Sequence, residues 1–287
     1  MVISGFSMCC GYYDKILSND ASIIEFYSKR YSKVLPFFSL LCFMDFIISP
    51  SKNALYEIFA NLTLCFGLLP IYDITVIGVG WFLGVVFVFY FIFPFYCYLL
   101  FPRRKAWLSL VIALIFNYLC EVRFNAGRTN IIYCGVFFIL GGIIFLYRES
   151  LERIIEKKRL IVFCCVLIGT IGYFVIAKST IIMLFLFASM LIYTLKSKTI
   201  KSSLLNNWFV KCISKISLEI YLSHMVIYRI LEKLCLLHLF KSELLSFIVI
   251  CILTLIGAVA FSIITSNVIK YIVIIYKRKK LEKGIKL

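Results

Sequence analysis

The chain has 287 residues, of which 63% are hydrophobic and 16% charged, with a formal net charge of +17 and a mean hydropathy of +1.01. Soluble domains are roughly half apolar and a quarter charged, so this composition excludes a water-soluble globule and indicates a chain embedded in a lipid bilayer. The basic excess does not indicate nucleic acid, because lysines and arginines fall in short clusters between apolar stretches rather than along one face.

A helix needs about 20 apolar residues to cross a hydrocarbon core of roughly 30 Å. In chain order, a short apolar window at residues 1–13 is followed by windows at 34–50, 76–101, 106–120, 131–147, 160–176, 180–195, 216–237 and 244–276. Residues 55–70 carry Glu57 and Asn61 and are bounded by Pro70 and Asp73, which predicts a half-buried element that does not cross. The expected fold is all-α, a polytopic transmembrane helix bundle of about nine passes. No internal repeat or low-complexity linker divides residues 1–287, so a single membrane domain is expected. Met1 leads directly into the first apolar window, with no basic n-region and no small-residue cleavage site. The 12 cysteines lie mostly in apolar stretches without C-x-x-C spacing, which predicts small buried hydrophobes rather than a disulfide framework or zinc site.

The basic clusters alternate along the chain. Rich ones hold Lys29, Arg30 and Lys33; Arg103, Arg104 and Lys105; Arg148, Arg153, Lys157, Lys158 and Arg159; Lys196, Lys198, Lys201, Lys211 and Lys215; and the tail from Lys277. The connections between them hold only Lys52, Arg123, Arg128, Lys178 and Lys241. The positive-inside rule makes the rich set cytoplasmic. The chain is then expected to start outside and end with a cytoplasmic C-terminus. An odd number of passes that begins outside with a short first segment predicts one more helix upstream of Met1.

Soluble catalytic motifs are absent. Gly78-Val79-Gly80 runs into Trp81 without a third glycine, so it is no dinucleotide loop. His224 and His238 are too far apart for one helix face and lack a carboxylate set, so no metal is expected. Polar groups at membrane depth remain, and these usually face a bundle interior or a wet cavity. Glu219, His224 and Arg229 share one expected helix, with His224 near its middle and Tyr228 positioned at i+4 to hold the imidazole. Such a histidine suits either a substrate site or a contact that locks helices together, and His238 is expected to be solvated. The segment FYSKRYSKVLP at residues 26–36 sets aromatics beside three cations. That combination suits a nucleotide with phosphates, and equally an ordinary interfacial anchor.

Taken in order, ISGF at residues 3–6, FYSKRYSKVLP at 26–36, WFLGVVFVFYFIFP at 81–94, FFILGGIIFLY at 137–147 and ISKISLEIYLSHMVI at 213–227 resemble successive landmarks of the integral-membrane acyltransferase 3 family. The resemblance implies an enzyme that moves an acyl group, often acetyl, from cytoplasmic acyl-CoA to a cell-surface glycan or similar acceptor at the cell membrane. It implies acyl-CoA binding by Phe26, Lys29, Arg30 and Lys33, with lysine replacing the family's arginine at Lys29 and Lys33. Arg30 is the foremost of these, because a planar guanidinium can grip phosphate in two places. Trp81, Tyr90 and His224 are implied to shape the acceptor or acyl channel.

The family's essential Arg and His lie on its first helix, which in this numbering would precede Met1. The domain is therefore expected to be incomplete at its N-terminus, and the 287 residues alone to bind acyl-CoA without turnover unless His224 serves as base. Two other readings share the same composition: a polysaccharide polymerase or transport component, and a non-catalytic membrane partner. The short outer segment with Arg123 and Arg128 counts against the first.

Overall fold

A computed structural model of the chain describes residues 1–20, 22–68, 78–176, 178–195, 207–234 and 242–282. Among these the chain forms α-helices and no strand: α1 (Val2–Leu17), α2 (Ile23–Ile48), α3 (Lys52–Leu62), α4 (Gly80–Leu100), α5 (Arg103–Val122), α6 (Ile131–Leu146), α7 (Arg148–Ile171), α8 (Thr180–Tyr193), α9 (Trp208–Lys215), α10 (Ser217–Lys233) and α11 (Glu243–Glu282). The all-α expectation holds. Among the described residues, five stretches are long and apolar enough to cross a membrane: α2, α4, α5, α7 with the π turn that follows it, and α11 as far as Ile275. α6 and α8 are apolar but shorter, at 16 and 14 residues. Pro70, Asp73, Lys196, Lys198, Lys201, His238 and Lys241 lie outside the described residues.

The helices depart from the expected windows where local chemistry overrides hydropathy. α2 begins at Ile23 rather than at residue 34, because the buried stripe of Val34, Phe37, Phe38 and Leu41 continues back to Phe26 at helical spacing. Pro36 lies inside that helix; it removes one N–H donor, and its own carbonyl accepts from Ser39 Oγ at 3.1 Å. α4 begins at Gly80 because Gly78 has φ +42°, a left-handed conformation open to glycine and incompatible with the helix that follows. α7 takes in the basic stretch from Arg148 and breaks at Lys158 (φ −132°, ψ 35°), where the charged segment gives way to the apolar one. α3 has 11 residues and is capped by Ser51, whose Oγ accepts from the Ala54 N–H at 3.0 Å. Its rise of about 16 Å falls well short of a bilayer core, in keeping with an element that does not cross.

Contacts divide the chain into two compact units, residues 1–28 with 84–203 and residues 29–83 with 204–287. In the first, α6 is buried from Cys134 through Phe145 on several faces, as its uniformly apolar sequence allows. α1 runs parallel to it, with Gly5 against Phe138 and the Tyr13 ring edge-on to Phe145 at 5.4 Å. Glycine permits this approach: a Cβ on Gly5 would stand 2.2 Å from the Phe138 carbonyl oxygen, and one on Gly141 would stand 2.1 Å from that of Val2. α5 lies antiparallel to α6, joined by Asn117 Nδ2 donating to the Tyr133 carbonyl at 2.8 Å and Trp107 Nε1 to the Tyr147 hydroxyl at 3.0 Å. α7 and α8 are likewise antiparallel, with Gly169 against Leu186 and Arg159 over the Tyr193 ring.

In the second unit α2 and α10 run parallel. Asp45 pairs with Arg229, and one turn further along both helices Lys233 Nζ donates to the Ile48 carbonyl. α11 is antiparallel to α10, with the Ser223 and Ser262 hydroxyls 3.2 Å apart and Gly257 against Ile227. Phe37 meets Phe261 edge-on, and Phe38 stacks on Phe66.

Candidate functional site

Phe26, Lys29, Arg30 and Lys33 fall at i, i+3, i+4 and i+7 on α2, which places them along one helix face. Lys29 and Lys33 are exposed and Arg30 is half-buried. Phe26 is 1% exposed: its ring stacks on Phe93 at 5.6 Å and meets Tyr12 edge-on at 4.8 Å. It therefore anchors the start of α2 in the first unit. The Tyr27 hydroxyl donates to the Phe91 carbonyl there. In the second unit Tyr31 donates to the Thr63 carbonyl at 3.4 Å and lies 3.6 Å from Cys65 Sγ. Lys29 and Lys33 are thus the exposed cations of this face, while the Arg30 Nε is buried.

His224 is half-buried on α10. Its Nδ1 lies 2.5 Å from the Tyr221 carbonyl oxygen, which can only accept, so Nδ1 is the donor of this contact. The expected partner, Tyr228, is not the group that holds the ring. Side chains on a helix lean toward its N-terminus, and this carries the imidazole back onto the preceding turn instead of forward to i+4. The His224 and Tyr221 rings are 5.7 Å apart, Tyr221 is edge-on to Phe82 at 5.3 Å, and Phe82 to Trp81 at 6.0 Å. Trp81 and His224 are therefore joined within the second unit by a run of ring contacts. Tyr90 belongs to the first unit, its ring tilted against Phe87 at 5.2 Å.

Two polar residues gain a place that the sequence did not give them. Asp45 is 4% exposed and is the partner of Arg229; its signal was a lone carboxylate inside an apolar window. The Arg229 guanidinium also borders Gly78, where a Cβ would stand 3.7 Å from one of its nitrogens. Asn61, noted in the sequence only as an obstacle to crossing, is fully buried. Its Nδ2 donates to the Glu57 carbonyl at 2.7 Å. Its Oδ1 meets no donor among the described residues and faces Gly80, at 3.5 Å from the position of a Cβ there.

A family model described as an acyltransferase domain matches residues 1–263. No curated protein and no solved structure matches the chain. The matched region runs from α1 through α10 and into α11, so it takes in every candidate residue above. With an acyltransferase domain over most of its length and apolar helices long enough to span a bilayer, the chain belongs to the acyltransferase 3 family of membrane acyltransferases.

Proposed function

We propose that the protein is a membrane O-acyltransferase that takes an acyl group, acetyl by preference, from cytoplasmic acyl-CoA and delivers it to a hydroxyl of a cell-surface glycan. The observation that carries this reading is the acyltransferase-domain match over residues 1–263. In the reaction the acceptor oxygen attacks the thioester carbonyl, a C–O bond forms, the C–S bond breaks, and CoA leaves as the thiol. The hydroxyl proton needs an acceptor within about 3 Å, directly or through one water. His224 takes that role as the neutral imidazole: with Nδ1 donating to the Tyr221 carbonyl, Nε2 is the nitrogen left to accept. Arg30, Lys29 and Lys33 supply charge for the CoA phosphates, with Phe26 setting the direction of their helix face. Trp81 and Tyr90 shape the acceptor or acyl channel.

The same reading takes the chain through about nine passes as one membrane domain of the cell membrane, with a cytoplasmic C-terminus. Helix directions support it. Loop charge assigns α1 and α6 the same direction, α2 and α10 the same direction, and α5 and α6, α7 and α8, and α10 and α11 opposite directions. Each of these pairs packs accordingly.

The test is transfer of radiolabelled acetyl from acetyl-CoA to alkali-labile ester in membranes containing the protein, its His224→Gln variant, or neither. The reading expects label above empty membranes and a fall of roughly 10²–10⁴-fold in His224→Gln. Equal transfer by the variant moves the base to another residue, and label no higher than empty membranes refutes the enzyme reading of this chain.

A further inference from the structure

The first unit contains a cavity of about 840 Å³ lined by the end of α1, the start of α5 and the junction of α6 with α7. Its volume is that of a small-molecule site, roughly 300–1,000 Å³. Arg103 and Arg104 enter from α5, and Arg148 and Arg153 from α7, against two carboxylates, Asp14 and Glu149. In sequence these arginines form two separate clusters that loop charge alone would explain. The fold brings them around one space, which loop charge does not require.

An internal hydrogen bond draws on one of these cations, Arg153 Nε donating to the Glu149 backbone carbonyl at 3.3 Å, which leaves the terminal nitrogens of that guanidinium for an acceptor. Among the described residues none of the four arginines is in an ion pair with either carboxylate. Arg103 lies over the Tyr147 ring at 5.3 Å and Arg148 over the Phe145 ring at 4.2 Å, contacts that orient a guanidinium while leaving its N–H edge for an acceptor. Tyr147 is itself fixed by Trp107 Nε1, which donates to its hydroxyl. Four arginines against two acids leave an excess of positive charge, in a place with two oriented forks. An anion with several oxygens answers that, and phosphate matches the bidentate geometry of arginine.

We propose that this cavity binds a phosphate-bearing anion. Two sources carry the required chemistry. One is an acidic phospholipid headgroup, favoured by Phe101, a lining residue that is apolar and exposed, along which an acyl chain can lie. The other is a soluble nucleotide. The cavity residues differ from those of the acyl-CoA reading, and Arg30 is intact in every variant compared, so a change in binding of a nucleotide that resembles the end of CoA is read from these arginines alone.

The full chain in detergent is titrated with short-chain phosphatidylglycerol, short-chain phosphatidylcholine and adenosine 3′,5′-bisphosphate, and binding is read directly. The comparison is with Arg103→Ala/Arg148→Ala and, in case loss of the ring contacts impairs folding, with Arg104→Ala/Arg153→Ala. Preference for phosphatidylglycerol over phosphatidylcholine that falls about tenfold or more in a folded double variant supports the site with a lipid source. A fall of that size for the bisphosphate supports it with a soluble source. Binding of both probes unchanged in the folded Arg104→Ala/Arg153→Ala protein, or no preference of the wild type for either anion, overturns it.

Discussion

Asp45 and Arg229, 184 residues apart in the sequence, form an ion pair between α2 and α10. Asp45 is almost fully buried and Arg229 about a quarter exposed, so each charge has lost much of its water and depends on the other. The next contact along, Lys233 to the Ile48 carbonyl, advances in the same direction on both helices and sets their parallel register. Breaking a buried pair leaves an uncompensated charge, at a cost of about 3–5 kcal/mol, whereas replacing both partners by apolar groups is often close to neutral. Arg229→Met should therefore lower thermal stability in detergent sharply, and Asp45→Leu/Arg229→Met should recover much of the loss. Equal melting temperatures for the single and double variants would show that the pair contributes no coupling.

The glycines of α1 give a prediction of opposite signs within one helix. A methyl at Gly141 or Gly5 meets backbone oxygen at 2.1 or 2.2 Å, so α1 and α6 must separate, a change costing about 1–3 kcal/mol. Gly11, also on α1, has no heavy atom within 4 Å of a Cβ position, and alanine there should stabilise by about 0.5–1 kcal/mol. Thermal unfolding of Gly5→Ala and Gly11→Ala should move in opposite directions. Two variants that shift together would contradict the close crossing of α1 with α6.

Sidedness follows from loop charge and is open to direct labelling. Lys157 lies in the basic stretch of α7 and Arg123 at the end of α5. With accessible native cysteines replaced, a membrane-impermeant thiol reagent added outside should modify Arg123→Cys and spare Lys157→Cys. The reverse pattern would invert the topology.

Much of the fold was legible because hydropathy and helical length are strong signals in a chain this apolar. The windows found the helices, while ISGF and FFILGG stood out only as family landmarks and their glycines took on a packing role in the fold. Their pairing was not legible: nothing local tells Gly5 that it meets Phe138, or Gly141 that it meets Val2. The start of α2 was misjudged because the cations at Lys29, Arg30 and Lys33 lower a window average while leaving the buried stripe through Phe26 intact. At the site, Arg30 was visible as one of three cations set among aromatics and His224 as a polar residue at membrane depth. The partner of His224 was mistaken because i+4 spacing ignores the tilt of side chains toward the helix N-terminus. Asp45 could have been found by the rule that singled out His224; its pairing with Arg229 is a tertiary fact.

The central claim is that acyl-CoA is the donor and that Arg30 on α2 grips its phosphates. The most direct measurement is equilibrium binding of acetyl-CoA to the full chain in lipid nanodiscs, for wild type and Arg30→Ala. The account predicts saturable binding by the wild type, weakened in the variant by one charge-assisted contact, about 1.5–3 kcal/mol, or about 10- to 150-fold in Kd. A folded Arg30→Ala protein with unchanged affinity, or a wild type without saturable binding, would contradict it.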